Sequence, residues 1–255
     1  MPIADALWSV ATLLLGFVIG KFLALASLRM PAGQPVDWSN SACEACRRRA
    51  NVADLLPVAG YVMLRGRCPA CATAMPVRFP LIEGACLAIA IWAIATFSGP
   101  LALLTALLGW WLLLIAIVDA EHFWLPDRLT IPLAVFGLVA AAAYGPQRLI
   151  DHAIGASAGF VILTAIAWVY EKLRGRQGMG GGDARLLAAA GAWAGWIGLP
   201  SVVLWASATA LVVVAVKATI QRRVRGDDRV PFGTYLAFGI WLTWLYGPLG
   251  RDLPI

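Results

Sequence analysis

Two sets of residues in this chain can do chemistry. Four cysteines fall in two C-x-x-C pairs, Cys43-Glu-Ala-Cys46 and Cys68-Pro-Ala-Cys71. Two aspartates, Asp119 and Asp183, stand at the ends of long apolar runs. A C-x-x-C pair turns tightly enough to present two sulfurs to one ion. Two such pairs about twenty residues apart match the spacing of a four-thiolate zinc site. That site is closed, with no open coordination position, so it points to structure and away from catalysis. The alternative is a pair of disulfides, which need an oxidising compartment. A fifth cysteine, Cys86, lies inside an apolar segment and reads as a small core residue.

The aspartates suggest a different chemistry. Asp119 ends the run GWWLLLIAIVD, and Asp183 follows the glycine run Gly178-Met-Gly180-Gly181-Gly182. Ionisable groups at membrane helices are costly and often functional. Two close carboxylates cannot both ionise cheaply, so they share a proton and titrate together. Such a pair can activate a water, one carboxylate acting as base and the other as acid. The glycine run permits positive φ and close backbone approach, so a substrate peptide could lie against it. Taken singly, Asp183 reads equally well as a helix N-cap and Asp119 as a residue at the water boundary. Asp127, after Leu125-Pro126, reads as an N-cap, and Glu121 and His122 lie in the same short segment and could touch the site. His152 falls in a turn on the other side and takes no role. The glycine run lacks the Lys-Ser/Thr ending of a phosphate loop and the spacing of a dinucleotide fingerprint. No histidine–carboxylate spacing supports metal-assisted hydrolysis.

These residues must be positioned by membrane helices. The chain has 255 residues, 61% hydrophobic and 13% charged, and a mean hydropathy of +0.78. Soluble domains run about 45–50% apolar and about 25% charged. This composition excludes a soluble globular protein, a disordered chain and a nucleic-acid-binding domain. A span needs roughly 20 apolar residues. Eight candidate segments follow: Ala6–Leu28, Leu81–Phe97, Leu101–Val118, Leu129–Tyr144, Ile154–Tyr170, Ala184–Ile197, Val202–Val216 and Pro231–Tyr246. The expected fold is an all-α polytopic membrane protein of about eight transmembrane helices. Residues 1–28 form the first helix, which lacks the basic start and cleavage site of a signal peptide. Residues 29–80 form a small cytoplasmic zinc-bound domain, too small for a self-sufficient core. Residues 81–255 form a seven-helix core.

Charge sets the orientation. Alternating the loops puts Arg29, Arg47, Arg48, Arg49, Arg65, Arg67, Arg78, Arg128, Lys172, Arg174, Arg176, Arg185, Lys217, Arg222, Arg223, Arg225 and Arg229 on one side. The other side receives Arg148 and Arg251. The basic side is cytoplasmic, which favours zinc over disulfides, and both termini lie outside. FSGP, YGPQRLIDH and IGLP are read as external turns. The net charge of +6 is thus a topology signal, and basic loops also attract anionic lipid heads. Asp119 and Asp183 fall at the same membrane face, so they can meet.

The motifs together resemble the type IV prepilin peptidases, polytopic aspartic peptidases of pilus and type II secretion systems. The carriers are Asp119-x6-Pro126-Asp127, Gly178-Met-Gly-Gly-Gly-Asp183-Ala-Arg-Leu, Leu64-Arg-Gly-Arg-Cys68-x2-Cys71, Arg78-Phe-Pro-Leu-Ile-Glu83 and Pro231-Phe-Gly233. They span nearly the whole chain in order. The resemblance implies Asp119 and Asp183 as the catalytic pair, cutting a basic leader from prepilins or pseudopilins at the cytoplasmic face of the bacterial inner membrane. It also implies the four cysteines as zinc ligands. A second activity would N-methylate the new N-terminus with S-adenosylmethionine, a role with which Glu83 and Gly20 are loosely associated. The family's Gly-Ser-Phe-Leu-Asn-Val stretch reads here Gly20-Lys-Phe-Leu-Ala-Leu25, its usual lysine after the second aspartate is Arg185, and the first knuckle lacks a proline. The rival classes are an ion- or proton-coupled transporter, which would want charges nearer the midplane, and a zinc-bearing secretion scaffold, which would not need paired aspartates.

Overall fold

The structure of the chain is a computed structural model, and it describes residues 2–36, 45–46, 59–175, 180–221 and 230–249. The described residues are helical, with one isolated bridge between Arg67 and Ala74 in place of any strand. The helices are α1 (Pro2–Arg29), α2 (Ala59–Met63), α3 (Arg78–Thr96), α4 (Pro100–His122), α5 (Asp127–Ala143), α6 (Pro146–Arg174), α7 (Gly181–Gln221) and α8 (Phe232–Tyr246). They divide into two compact units, Met1–Trp110 and Trp111–Ile255.

In the first unit α1 packs on α3 through small residues. A side chain on Gly20 would start 2.9 Å from the Glu83 Cα, so glycine sets how closely the backbones approach. Ala24, Ala26, Ala90 and Ala93 are fully buried. Polar groups find partners inside: Trp110 Nε1 donates to the Cys86 carbonyl at 2.9 Å, and Arg78 Nη2 donates to Ser27 Oγ at 2.8 Å. The outward face of α1 is apolar, with Ile3, Leu7, Val10, Leu14 and Val18 all exposed at helical spacing. A helix in water would put polar residues there. This one is built to meet hydrocarbon.

In the second unit the backbones of α6 and α7 touch. Gly155 and Gly159 on α6 meet Gly191 and Leu187 on α7 with no room for a side chain. Trp193 Nε1 donates to the Leu133 carbonyl at 2.8 Å, tying α7 to α5, and its ring meets Trp244 of α8 edge-on at 5.3 Å. Gly239 lets α8 lie against Val202.

Among the described residues five helices are long and apolar enough to cross a membrane: Ile3–Arg29, Arg78–Thr96, Pro100–His122, Pro146–Arg174 and Gly181–Ile220. The eight expected spans are therefore not matched one for one. The helix α5 has 17 residues and α8 has 15, each short of a straight crossing of about 20 residues. The sixth and seventh expected segments fall within α7, whose backbone breaks at Gly195 (φ 67°, ψ 175°). The expected turn at IGLP is itself helical. Gly195 occupies the left-handed region that a side chain disfavours, and the helix restarts immediately after it.

Candidate active site

Asp119 sits in the last turn of α4 and Asp183 in the first turn of α7. Both are buried, at 4% and 8% exposure. They are 64 residues apart in sequence, and the fold brings them close enough to interact electrostatically. Helix α8 completes the arrangement. The Thr234 backbone N–H donates to Asp119 Oδ2 at 2.7 Å, and the Thr234 hydroxyl stands 3.1 Å from the same oxygen and 3.0 Å from the Ala116 carbonyl. The first N–H groups of a helix have no acceptor within it, so a carboxylate placed there satisfies one of them and meets the positive end of the helix dipole.

Packing explains why these termini converge. Leu125, in the connection between α4 and α5, lies against two glycines. A side chain on Gly182 would start 2.5 Å from Leu125 Cβ, and one on Gly233 would start 2.6 Å from Leu125 Cδ1. The Gly233 position is also 3.0 Å from the Asp119 carboxyl. Glycine at 182 and 233 therefore seats the Leu125 connection between the first turns of α7 and α8.

Several expectations change here. None of Gly180, Gly181 and Gly182 is among the positive-φ residues, so these three glycines are not there for left-handed backbone. Its use is space: Gly182 admits Leu125, while Gly180 and Gly181 are exposed and a side chain on Gly181 would meet nothing within 4 Å. Gly178 lies outside the described residues. Asp183 is not an N-cap; its own N–H donates to the Gly180 carbonyl at 3.2 Å. Asp127 does not cap α5, whose N-cap is Pro126. It forms an ion pair with Arg185, joining the first turns of α5 and α7. Both partners are substantially exposed, at 53% and 41%. A double-mutant cycle with Asp127→Ala and Arg185→Ala, read by thermal unfolding in detergent, should give a coupling under about 1 kcal/mol. Glu121 and His122 are exposed and 3.9 Å from each other. His152 bonds the Ala192 carbonyl through Nδ1 at 2.8 Å. The sequence pattern gives Thr234 no role; the signal it carries is a hydroxyl residue in the first turn of a helix opened by Pro231-Phe-Gly.

The cysteine site lies in the first unit. Cys68 through Thr73 form a tight knuckle: the Ala72 N–H donates to the Cys68 carbonyl at 2.8 Å, and the Cys68 N–H donates to the Thr73 carbonyl at 2.9 Å. The sulfurs of Cys46, Cys68 and Cys71 lie within 4.8 Å of one another, and those of Cys46 and Cys68 are 3.9 Å apart. Tetrahedral Zn–S bonds of about 2.3 Å place sulfurs about 3.8 Å apart. No disulfide joins the described cysteines. Cys43 lies outside the described residues. The Thr73 hydroxyl, 3.2 Å from Cys71 Sγ, is the main group pulling that thiol down to about 6, followed by the Thr73 backbone. These contacts favour the thiolate, the form a metal binds. Cys86 is fully buried on α3, away from this chemistry, and Glu83 is buried on α3 against Gly20.

Comparison with known proteins bears on both units. Residues 106–215 match the model of the type IV leader peptidase family, and residues 14–97 match that of the bacterial peptidase A24 N-terminal domain. A protein of Burkholderia pseudomallei (strain 1026b) is 37% identical over 92% of this chain and 84% of its own length. One from Pseudomonas aeruginosa is 32% identical over 97% and 95%, and one from Dickeya chrysanthemi is 35% identical over 97% and 93%. All three are named prepilin leader peptidase/N-methyltransferase. No solved structure matches the chain.

Proposed function

The chain belongs to the type IV leader peptidase family, and from that premise we propose how its residues divide the work. The protein is a membrane aspartic endopeptidase of prepilins. Asp119 and Asp183 are the catalytic pair. The observation that supports this is the meeting of two buried carboxyl groups, from the end of α4 and the start of α7, with Thr234 of α8 bonded to one of them. One aspartate takes a proton from a water, whose oxygen attacks the scissile carbonyl carbon. The other gives its proton to the carbonyl oxygen. The tetrahedral intermediate then collapses as the leaving nitrogen takes up a proton.

The substrate is the basic leader of a prepilin or pseudopilin, its apolar helix beside the bundle and its leader in the cytosol. The exposed Gly180 and Gly181, with Gly178 before them, are where the peptide lies. The protein sits in the bacterial inner membrane with this site facing the cytoplasm, and the two halves of α7 cross it separately about Gly195. Reconstituted in liposomes, the purified protein should release the leader from a prepilin. An intact, inserted protein that cuts no prepilin would refute the reading.

Cys43, Cys46, Cys68 and Cys71 hold one zinc ion, which when bound ties the small cytoplasmic domain together. The described sulfurs fit it by spacing. Metal analysis should find about one zinc per chain. Cys68→Ser should lose most of it and lower the unfolding temperature, and an unchanged zinc content would rule the site out. The second activity, N-methylation with S-adenosylmethionine, belongs to the first unit, around Glu83 and Gly20. Following labelled methyl transfer to the cleaved product tests it.

A further inference from the structure

We propose that Thr234 is a positioning residue that holds Asp119 as the ionised base of the pair, leaving Asp183 to carry the shared proton. The inference rests on the peptidase reading above. Asp119 ends α4, where the carbonyl end of its own helix disfavours a negative charge. The compensation comes from α8. Its Thr234 N–H, 2.7 Å from Asp119 Oδ2, is a fixed donor with no other role in the first turn. An N–H bond of this length to a carboxylate is charge-assisted and stronger than a bond between neutral groups.

The hydroxyl adds a second contact that can follow the proton. A threonine hydroxyl has one hydrogen and two lone pairs. Thr234 Oγ1 stands between Asp119 Oδ2 at 3.1 Å and the Ala116 carbonyl at 3.0 Å. While Asp119 is ionised, the hydroxyl gives its hydrogen to Oδ2. Once Asp119 has taken a proton from the attacking water, the hydroxyl turns its hydrogen to the Ala116 carbonyl and offers a lone pair to the new O–H. Both protonation states are then satisfied by a rotation of one bond, with no movement of helix. Gly233, one residue earlier, has no side chain to come between α8 and the carboxyl.

The test compares Thr234→Val, which keeps the backbone donor and the shape but loses the hydroxyl, with Thr234→Ser, which keeps both donors. The full-length proteins are assayed in liposomes for prepilin cleavage, beside wild type and Asp119→Asn. Thr234→Val should lower kcat about tenfold while KM stays within about twofold, as loss of one shared bond to a charged group requires. Thr234→Ser should recover kcat to within about twofold of wild type. A Thr234→Val enzyme with wild-type kcat, or one changed in KM alone, would overturn the inference and leave the peptidase reading standing. So would a Thr234→Ser enzyme as slow as Thr234→Val, since the methyl group would then be what matters. A wild-type protein that cuts no prepilin would overturn both.

Discussion

Asp119→Asn and Asp183→Asn should each stop prepilin cleavage, with a loss of about 10³–10⁴-fold expected for removing one partner of an acid–base pair. Asparagine keeps the shape of the carboxyl and cannot take or give the proton. The effect on folding runs the other way. Both side chains are buried and interact with each other, and removing one of two interacting buried carboxyls relieves the need to share a proton. The variants should therefore insert in the membrane and unfold at temperatures no lower than wild type. Cleavage assays with thermal unfolding of the same preparations separate the two effects. Cleavage within about tenfold of wild type by either variant would sink the pair. The double variant should be no slower than the slower single one, because the two groups act as a unit.

Gly233→Ala is the second large effect, and it comes from shape alone. The new Cβ would lie 2.6 Å from Leu125 Cδ1 and 3.0 Å from the Asp119 Cγ and Oδ2. The leucine can move the end of its side chain. The carboxyl is held by Thr234, one residue along the same helix turn, so relief must come from displacing Asp119 or tilting α8. A shift near 1 Å at a catalytic group costs on the order of 100-fold in rate. We expect kcat to fall by about that factor with KM little changed. Gly84→Ala is the matched control: a side chain there meets nothing within 4 Å. It should leave cleavage unchanged and, as alanine for glycine in a helix, stabilise slightly, by up to about 1 kcal/mol. A Gly233→Ala enzyme within threefold of wild type would show that the carboxyl has more freedom than the packing implies.

Much of this site is legible in the residues before any fold is considered. Long apolar runs read as membrane helices, and the alternation of the loops assigns the basic residues to one side. Together they predict Asp119 and Asp183 at one face. The paired cysteines point to a metal because two-residue spacing is a property of a local turn, and the Cys68–Thr73 knuckle forms it with its own hydrogen bonds. Other readings failed where local pattern and packing part company. Asp127 in a first turn has the look of a cap, yet Arg185, 58 residues away, takes its carboxylate. The glycine run permits positive φ and close approach, and of these the described part uses close approach, the missing side chain at Gly182 seating Leu125. The break in α7 falls at Gly195 rather than at Pro200, since a backbone in the left-handed region strongly favours glycine.

The amino-acid pattern alone thus determined the membrane class and singled out Asp119 and Asp183 as a candidate carboxyl pair, because these depend on composition and on the apolar runs along the chain. Which groups surround that pair was decided only in three dimensions. Thr234 and Gly233 stand more than a hundred residues beyond Asp119, and no periodicity links them. They meet it because buried glycines draw the backbones of unit two together. A carboxyl at the end of one helix then finds its donors at the start of another.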